Sequence, residues 1–220
     1  MHNSLFNIAV SADDGTISSI ILKNDPYKMN WCSGIAGWGE ISVYDDSPII
    51  SENGVQSVAG TKTLPLILLI EEVNISFSVY GNGDFRLTAE RSFDENGFLN
   101  ERYTVKNLRD ADMFLEQGDI GIALPFNDIY TYADDCMVRH CNTHIWCGGN
   151  TSYISAVKMG ESDFNFGLVL TEGAFASYSM CNADTHSRHG VFIMDCEHIE
   201  LLPGEEYSWS LKLFPFKNHE

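Results

Sequence analysis

Val73-Asn-Ile-Ser-Phe-Ser-Val-Tyr80 is followed by Gly81-Asn-Gly-Asp84 and then by Phe85-Arg-Leu-Thr-Ala-Glu90. In the first run the apolar residues Val73, Ile75, Phe77 and Val79 alternate with Asn74, Ser76, Ser78 and Tyr80. In the second, Phe85, Leu87 and Ala89 alternate with Arg86, Thr88 and Glu90. A period of two belongs to a β-strand with one buried and one wetter face, and a glycine-rich turn between two such runs closes a hairpin. Asp94-Glu-Asn-Gly97 turns the chain again, after which Leu99, Tyr103 and Val105 alternate with Asn100, Arg102 and Thr104. The passage predicts a three-stranded antiparallel meander whose odd-numbered residues face the core.

The same rhythm extends in both directions. Residues 5–10 and 16–22 are β-favouring runs around the turn signal Asp13-Asp-Gly15, and they read as a hairpin. Met113-Phe-Leu115, Ile120-Gly-Ile-Ala-Leu124, Tyr153-Ile-Ser-Ala-Val157, Phe164-Asn-Phe-Gly-Leu-Val-Leu170, Phe175-Ala-Ser-Tyr178 and Gly190-Val-Phe-Ile-Met194 add further strands. The last, within 205–214, puts Tyr207, Trp209, Leu211 and Leu213 on one face after the turn Leu202-Pro-Gly204. No stretch of helix length sustains an apolar stripe. Many short strands with frequent turns predict an all-β fold, a large antiparallel two-sheet sandwich spanning 1–220 as a single domain. Phe77, Leu87, Val105, Leu168, Phe192 and Leu211 are expected in its interior. The glycine-rich loop Gly34-Ile-Ala-Gly-Trp-Gly39 lacks the lysine of a phosphate loop, and its Trp38 is read as capping one end of the core.

Thirteen basic against thirty-one acidic residues give the 220-residue chain a formal charge of −18. A field of that sign repels phosphate backbones and anionic lipid at long range, so no nucleic acid or membrane partner is expected. The longest greasy run, Leu64-Pro-Leu-Ile-Leu-Leu-Ile70, is strand length rather than membrane-spanning. Six cysteines without a signal-peptide pattern suggest reduced thiols and a cytoplasmic location.

Chemistry concentrates in Arg139-His-Cys-Asn-Thr-His-Ile-Trp-Cys-Gly-Gly-Asn150. In an extended strand His140, Asn142, His144 and Trp146 share one face by parity. A flat indole beside groups that donate and accept suits a sugar, which offers a C–H face for stacking and an equator of hydroxyls. With Arg139, and with Arg188 and His189 from the polar loop 182–189, these residues form the candidate sugar-binding set. Two other uses stay open: packing within the sheet, and metal binding through Cys136, Cys141, His144 and Cys147. The metal reading requires a tight loop, because Cys141 and Cys147 lie on the face opposite His144 in a strand. No metal or cofactor is therefore expected. Glu172, at a strand end, and His144 are weak catalytic candidates, since no paired carboxylates occur in a recognisable glycosidase arrangement.

The ending Ile199-Glu-Leu-Leu-Pro-Gly-Glu-Glu-Tyr-Ser-Trp-Ser-Leu-Lys-Leu-Phe214 resembles the closing strand pair of galactose-mutarotase-like β-supersandwich domains. With Asp14-Gly-Thr-Ile-Ser-Ser-Ile21, the passage from Tyr103-Thr-Val-Lys-Asn107 to Asp119-Ile-Gly-Ile122, and Asn142-Thr-His-Ile-Trp146, the chain is similar nearly end to end to amino-terminal domains of bacterial glycoside hydrolases. The resemblance implies a supersandwich that accompanies a catalytic barrel of paired helices, while the acidic charge makes neutral sugars or cations the expected partners, here a neutral sugar or oligosaccharide. The family's aldose 1-epimerases carry a histidine in a His-Pro-Tyr-Phe-Asn type motif and a glutamate in a Leu-Glu-Thr-Gln type segment. Neither is matched here, the corresponding region reading Gly190-Val-Phe-Ile-Met-Asp-Cys-Glu-His-Ile199. A domain without catalysis of its own is the expectation, with a standalone epimerase and a protein-interaction module as alternatives.

Overall fold

The computed structural model describes the chain outside residues 27, 33–36, 46–47, 52–53, 58–59, 82, 117–118, 127–142, 148–152, 159–164, 174–177, 183–189, 196–197 and 218–220. At 45, 48–51, 54–57, 60–62, 126, 143–147, 153–158, 178–182 and 190–195 it describes the backbone alone. The described residues form strands and turns, with no helix among them.

The strands in chain order are β1 (Phe6–Val10), β2 (Ile17–Leu22), β3 (Glu40–Asp45), β4 (Pro48–Ser51), β5 (Gly54–Ser57), β6 (Gly60–Thr63), β7 (Leu66–Glu71), β8 (Ile75–Gly81), β9 (Phe85–Phe93) and β10 (Leu99–Asn107). They continue as β11 (Met113–Leu115), β12 (Ile120–Phe126), β13 (Thr143–Cys147), β14 (Tyr153–Lys158), β15 (Asn165–Glu172), β16 (Tyr178–Asn182), β17 (Gly190–Asp195), β18 (Ile199–Leu201) and β19 (Glu206–Phe216). Eight of them make one sheet in the order β13-β14-β15-β19-β10-β9-β8-β7, and five make a second in the order β16-β17-β12-β3-β6. The pairs β1-β2, β11-β18 and β4-β5 are separate ribbons. Every pairing of these strands is antiparallel, both in the hairpins and between strands distant in sequence such as β10-β19 and β12-β3. The expected meander is β8-β9-β10 and the expected hairpin is β1-β2.

The final strand holds the large sheet together. β19 runs between β10 and β15 and so joins the meander to the later strands. Its alternation is the one its sequence predicts: Trp209, Leu211 and Leu213 are buried, and Ser208, Ser210 and Lys212 are not. Inner-face residues of the large sheet, including Leu87, Val105, Phe166 and Leu168, pack in one cluster with Phe6, Ile17 and Ile20 of the β1-β2 ribbon and with Ile41, Ile122 and Leu124 of the five-stranded sheet. Two apolar faces closed on each other are what makes this a sandwich. Trp31 and Trp38 are fully buried between the layers. Trp38 is thus a core residue, as the reading of its loop expected.

Of the expected interior residues, Leu87, Val105, Leu168 and Leu211 are buried, Phe77 is only half-buried, and the side chain of Phe192 lies outside those described. β8 reverses its predicted faces. Val73 and Ile75 are 55% and 50% exposed, whereas Ser76 and Ser78 are 0% exposed and Tyr80 is 2%. The reason lies on the next strand, where Ser76 pairs with Arg91, Ser78 with Ala89 and Tyr80 with Leu87. Arg91 is completely buried, and its Nη1 donates to the Gly15 carbonyl at 2.9 Å, which also accepts from Ser78 Oγ at 3.2 Å. A buried guanidinium needs polar neighbours, and those of Arg91 are the Gly15 carbonyl, which Ser78 shares, and the Glu101 carboxylate. The apolar row of β8 runs from exposed Ile75 through half-buried Phe77 to buried Val79. Accordingly Ile75→Thr should change unfolding free energy by less than about 0.5 kcal/mol, whereas Leu87→Ala should cost about 2 to 5 kcal/mol; urea titrations of both variants measure the difference.

Cys32 is the one cysteine whose side chain is described, and it is buried. Burial pushes its thiol well above the usual range, and the nearby Glu101 carboxylate pushes the same way. Thiolate is the reactive form, so Cys32 should resist iodoacetamide in the native protein and label only on unfolding. Peptide mass spectrometry before and after denaturant reads this directly.

Candidate carbohydrate-binding face

The outer face of the eight-stranded sheet is built from the residues that alternation turns away from the core. Cross-strand register arranges them in rows. Arg86, Lys106 and Glu206 form one row across β9, β10 and β19; Thr88, Thr104 and Ser208 form the next; Glu90, Arg102 and Ser210 form the third. Eight of these nine, Ser210 being the exception, line a shallow groove of about 300 Å³. Thr104 Oγ1 and Ser208 Oγ lie 2.8 Å apart, and Lys106 Nζ meets Glu206 Oε1 at 2.7 Å.

Glu172, the weak catalytic candidate, stands at the edge of this lattice. Its carboxylate lies 3.2 Å from Arg102 Nη1 and accepts from Ser210 Oγ at 2.8 Å. Both members of the ion pair are about half exposed, so the contact positions side chains more than it stabilises the fold. Further along β19, Lys212 Nζ is 2.9 Å from Asp94 Oδ2. Desolvation pushes the Asp94 carboxyl up, but hydrogen bonds from Lys212 and from the Phe98 and Asn96 amides together outweigh it and hold the group below its usual range. The Lys212–Asp94 contact thus ties the lattice to the 94–98 turn.

Beyond Lys212 the polar rows give way to aromatic rings. Phe98 and Phe214 are 5.8 Å apart, and Phe214 and Phe216 are 6.4 Å apart. All three are half-buried. Gly167 makes room for this strip, because a Cβ there would stand 2.8 Å from the Phe214 ring. Register then runs outward from Phe214 to Gly167, Ser155 and Trp146. His144 and Trp146 occupy alternate positions of β13 at the sheet's far edge, in register with Val157 and Ser155. This is the parity their spacing predicts, and it is the row opposite to that of buried Phe166 and Leu168.

Of the other expected sugar-binding residues, Arg139, His140, Asn142, Arg188 and His189 lie outside the described residues. The same holds for Cys136 and Cys141 of the alternative metal set, and only the backbone of Cys147 is described. Among the described residues no group of histidine, cysteine or carboxylate side chains is arranged to hold a metal ion. The lattice and the Phe98-Phe214-Phe216 strip were not singled out as a site from sequence. Their signal was present only as the wetter row of each strand, and a row becomes a surface once strand register is known.

No protein-family model matches the chain, and no curated protein matches it. Solved structures do. A polysaccharide lyase superposes over 100% of this chain and 33% of its own, with 25% identity and a TM-score of 0.76. A 4-alpha-glucanotransferase from Thermococcus litoralis aligns over 96% of this chain and 36% of its own, with 8% identity and a TM-score of 0.52. A heparinase III aligns over 94% and 30%, with 12% identity and a TM-score of 0.50. The chain thus spans about a third of the length of each of these structures. In fold it is similar, along nearly its whole length, to a β-domain carried by carbohydrate-processing enzymes.

Proposed function

We propose that this chain is a galactose-mutarotase-like supersandwich that recognises a saccharide on the outer face of its large sheet and accompanies a polysaccharide-degrading enzyme without catalysing the reaction itself. The full-length superposition on one third of a polysaccharide lyase carries this reading. The physical means is the outer face, where hydroxyl and charged groups adjoin aromatic rings. Polar rows exchange water for sugar hydroxyls at little net gain, while a ring removes a broad apolar patch from water, so the aromatics supply affinity and the polar groups supply orientation.

In this reading Trp146 and His144 present the aromatic edge of the face, and Arg139, His140, Asn142, Arg188 and His189 complete its polar rim. A catalytic domain of paired helices is the proposed partner, residues 1–220 act as a single unit, and the setting is cytoplasmic. Trp146→Ala should weaken oligosaccharide binding by about 1 to 3 kcal/mol with an unchanged melting curve, measured by calorimetry beside a glycan array. An array blank for the wild type, or unfolding of the variant, would overturn the reading. Polarimetry of fresh α-glucose or α-galactose should show no mutarotation above buffer.

A further inference from the structure

Arg86 and Lys106 stand directly opposite each other across β9 and β10. Like charges at that spacing are destabilising, and Arg86 gains no relief from its other side, where its cross-strand partner on β8 is Gly81. Among the described residues Lys106 and Arg102 have ion-pair partners in Glu206 and Glu172, and Arg86 has none. The strand could have carried a threonine or glutamate here at no structural cost, since Arg86 is exposed and its row faces solvent. A cation pair in register is the more telling in a chain with 31 acidic and 13 basic residues, because an anion is repelled from such a protein unless a local site captures it.

Next to the cation pair comes the hydroxyl row Thr88, Thr104 and Ser208. Adjacent strands are about 4.8 Å apart and alternate residues along a strand about 6.7 Å apart. One pyranose laid across the rows therefore reaches the hydroxyls with its ring substituents and the cations with a group attached at its edge. From this geometry we infer that the groove binds an acidic sugar, its carboxylate seated between Arg86 and Lys106 and its hydroxyls on the Thr88-Thr104-Ser208 row. The inference rests on the proposed saccharide-recognising role of the face and adds the charge class of the ligand. Arg86 is the determinant: its planar fork matches a carboxylate with two parallel hydrogen bonds, while Lys106 is already shared with Glu206.

The test uses the 220-residue chain with tetrasaccharides of galacturonate and of glucuronate, each beside its carboxyl-reduced neutral counterpart, titrated by calorimetry. At least one acidic probe should bind about tenfold more tightly than its reduced form. Arg86→Ala should erase that preference while changing neutral-probe binding less than about twofold, and Arg86→Lys should restore part of it. An unchanged melting temperature shows that the variant is folded. Equal binding of acidic and neutral probes would overturn the inference and leave the saccharide-binding proposal standing. An acidic preference that survives Arg86→Ala would also overturn it, placing the anion elsewhere. Binding of neither probe would sink both.

Discussion

Arg91→Met should destabilise the protein by about 3 to 5 kcal/mol, the cost of leaving a buried charge without its partner. Arg91 and Glu101 are both fully buried, with Arg91 Nε 3.7 Å from Glu101 Oε1. The carboxylate also accepts from Tyr103 Oη at 2.5 Å and from Trp38 Nε1 at 3.1 Å. Gly39 shows how closely the group is enclosed: with φ at +80°, a Cβ there would lie 2.5 Å from Tyr103 Oη and 2.7 Å from Arg91 Nη2. Burial pushes the Glu101 carboxyl up, and Arg91, Tyr103 and Trp38 pull it back down. Removing the guanidinium removes the leading downward influence, so the folded-state pKa of Glu101 in the variant rises further above its unfolded value. A carboxyl raised in this way contributes stability at low pH that is lost as pH climbs through the folded pKa. The deficit of Arg91→Met should therefore be smaller at pH 5 than at pH 7. Adding Glu101→Leu should recover most of it, because replacing a whole buried pair by apolar groups is often near neutral. Urea titrations of the single and double variants at both pH values measure all three expectations. A double variant as unstable as Arg91→Met would show that the groups stripped of the pair, Tyr103 Oη, Trp38 Nε1 and the Gly15 carbonyl, matter more than the pair itself.

Phe166→Ala should cost about 3 to 5 kcal/mol as a buried aromatic truncated to a cavity. The ring is fully buried and stacks on Trp31 at 5.4 Å, while Trp38 and Phe6 meet it edge-on at 6.1 and 6.3 Å. Its removal withdraws a ring from contact with β1 and with both tryptophans at once. Partial collapse into the space is resisted because its neighbours are themselves large rings seated in other layers. Phe166→Leu keeps much of the volume and should cost less than about 1.5 kcal/mol. Equal losses for the two variants would point to the aromatic contacts rather than the filled volume as the source of the stability. Thermal melts with intrinsic tryptophan fluorescence follow both variants, since Trp31 and Trp38 report on the same site.

Much of the fold was legible in the residues because strand alternation is a local property. The faces of β9, β10 and β19 follow directly from their apolar rows, and the β1-β2 hairpin from Asp13-Asp-Gly15 between two β-favouring runs. The strands β4, β5 and β6 carry weaker alternation and became visible only through their pairings. For the site, spacing was enough to put His144 and Trp146 in one row of a strand, as β13 does. β8 marks where local reading stops. Its alternation is as clear as that of its neighbours, yet Ser76 and Ser78 face the interior, Ser76 in register with buried Arg91 of the next strand, and Ile75 faces out. Alternation identifies two faces and says nothing of what each will meet. The chain by itself determined an antiparallel all-β sandwich and the parity of most strands. The tertiary structure decided which face of β8 is buried, that β19 joins two groups of strands, and that Arg86 and Lys106 stand side by side, since those facts depend on register between strands distant in sequence.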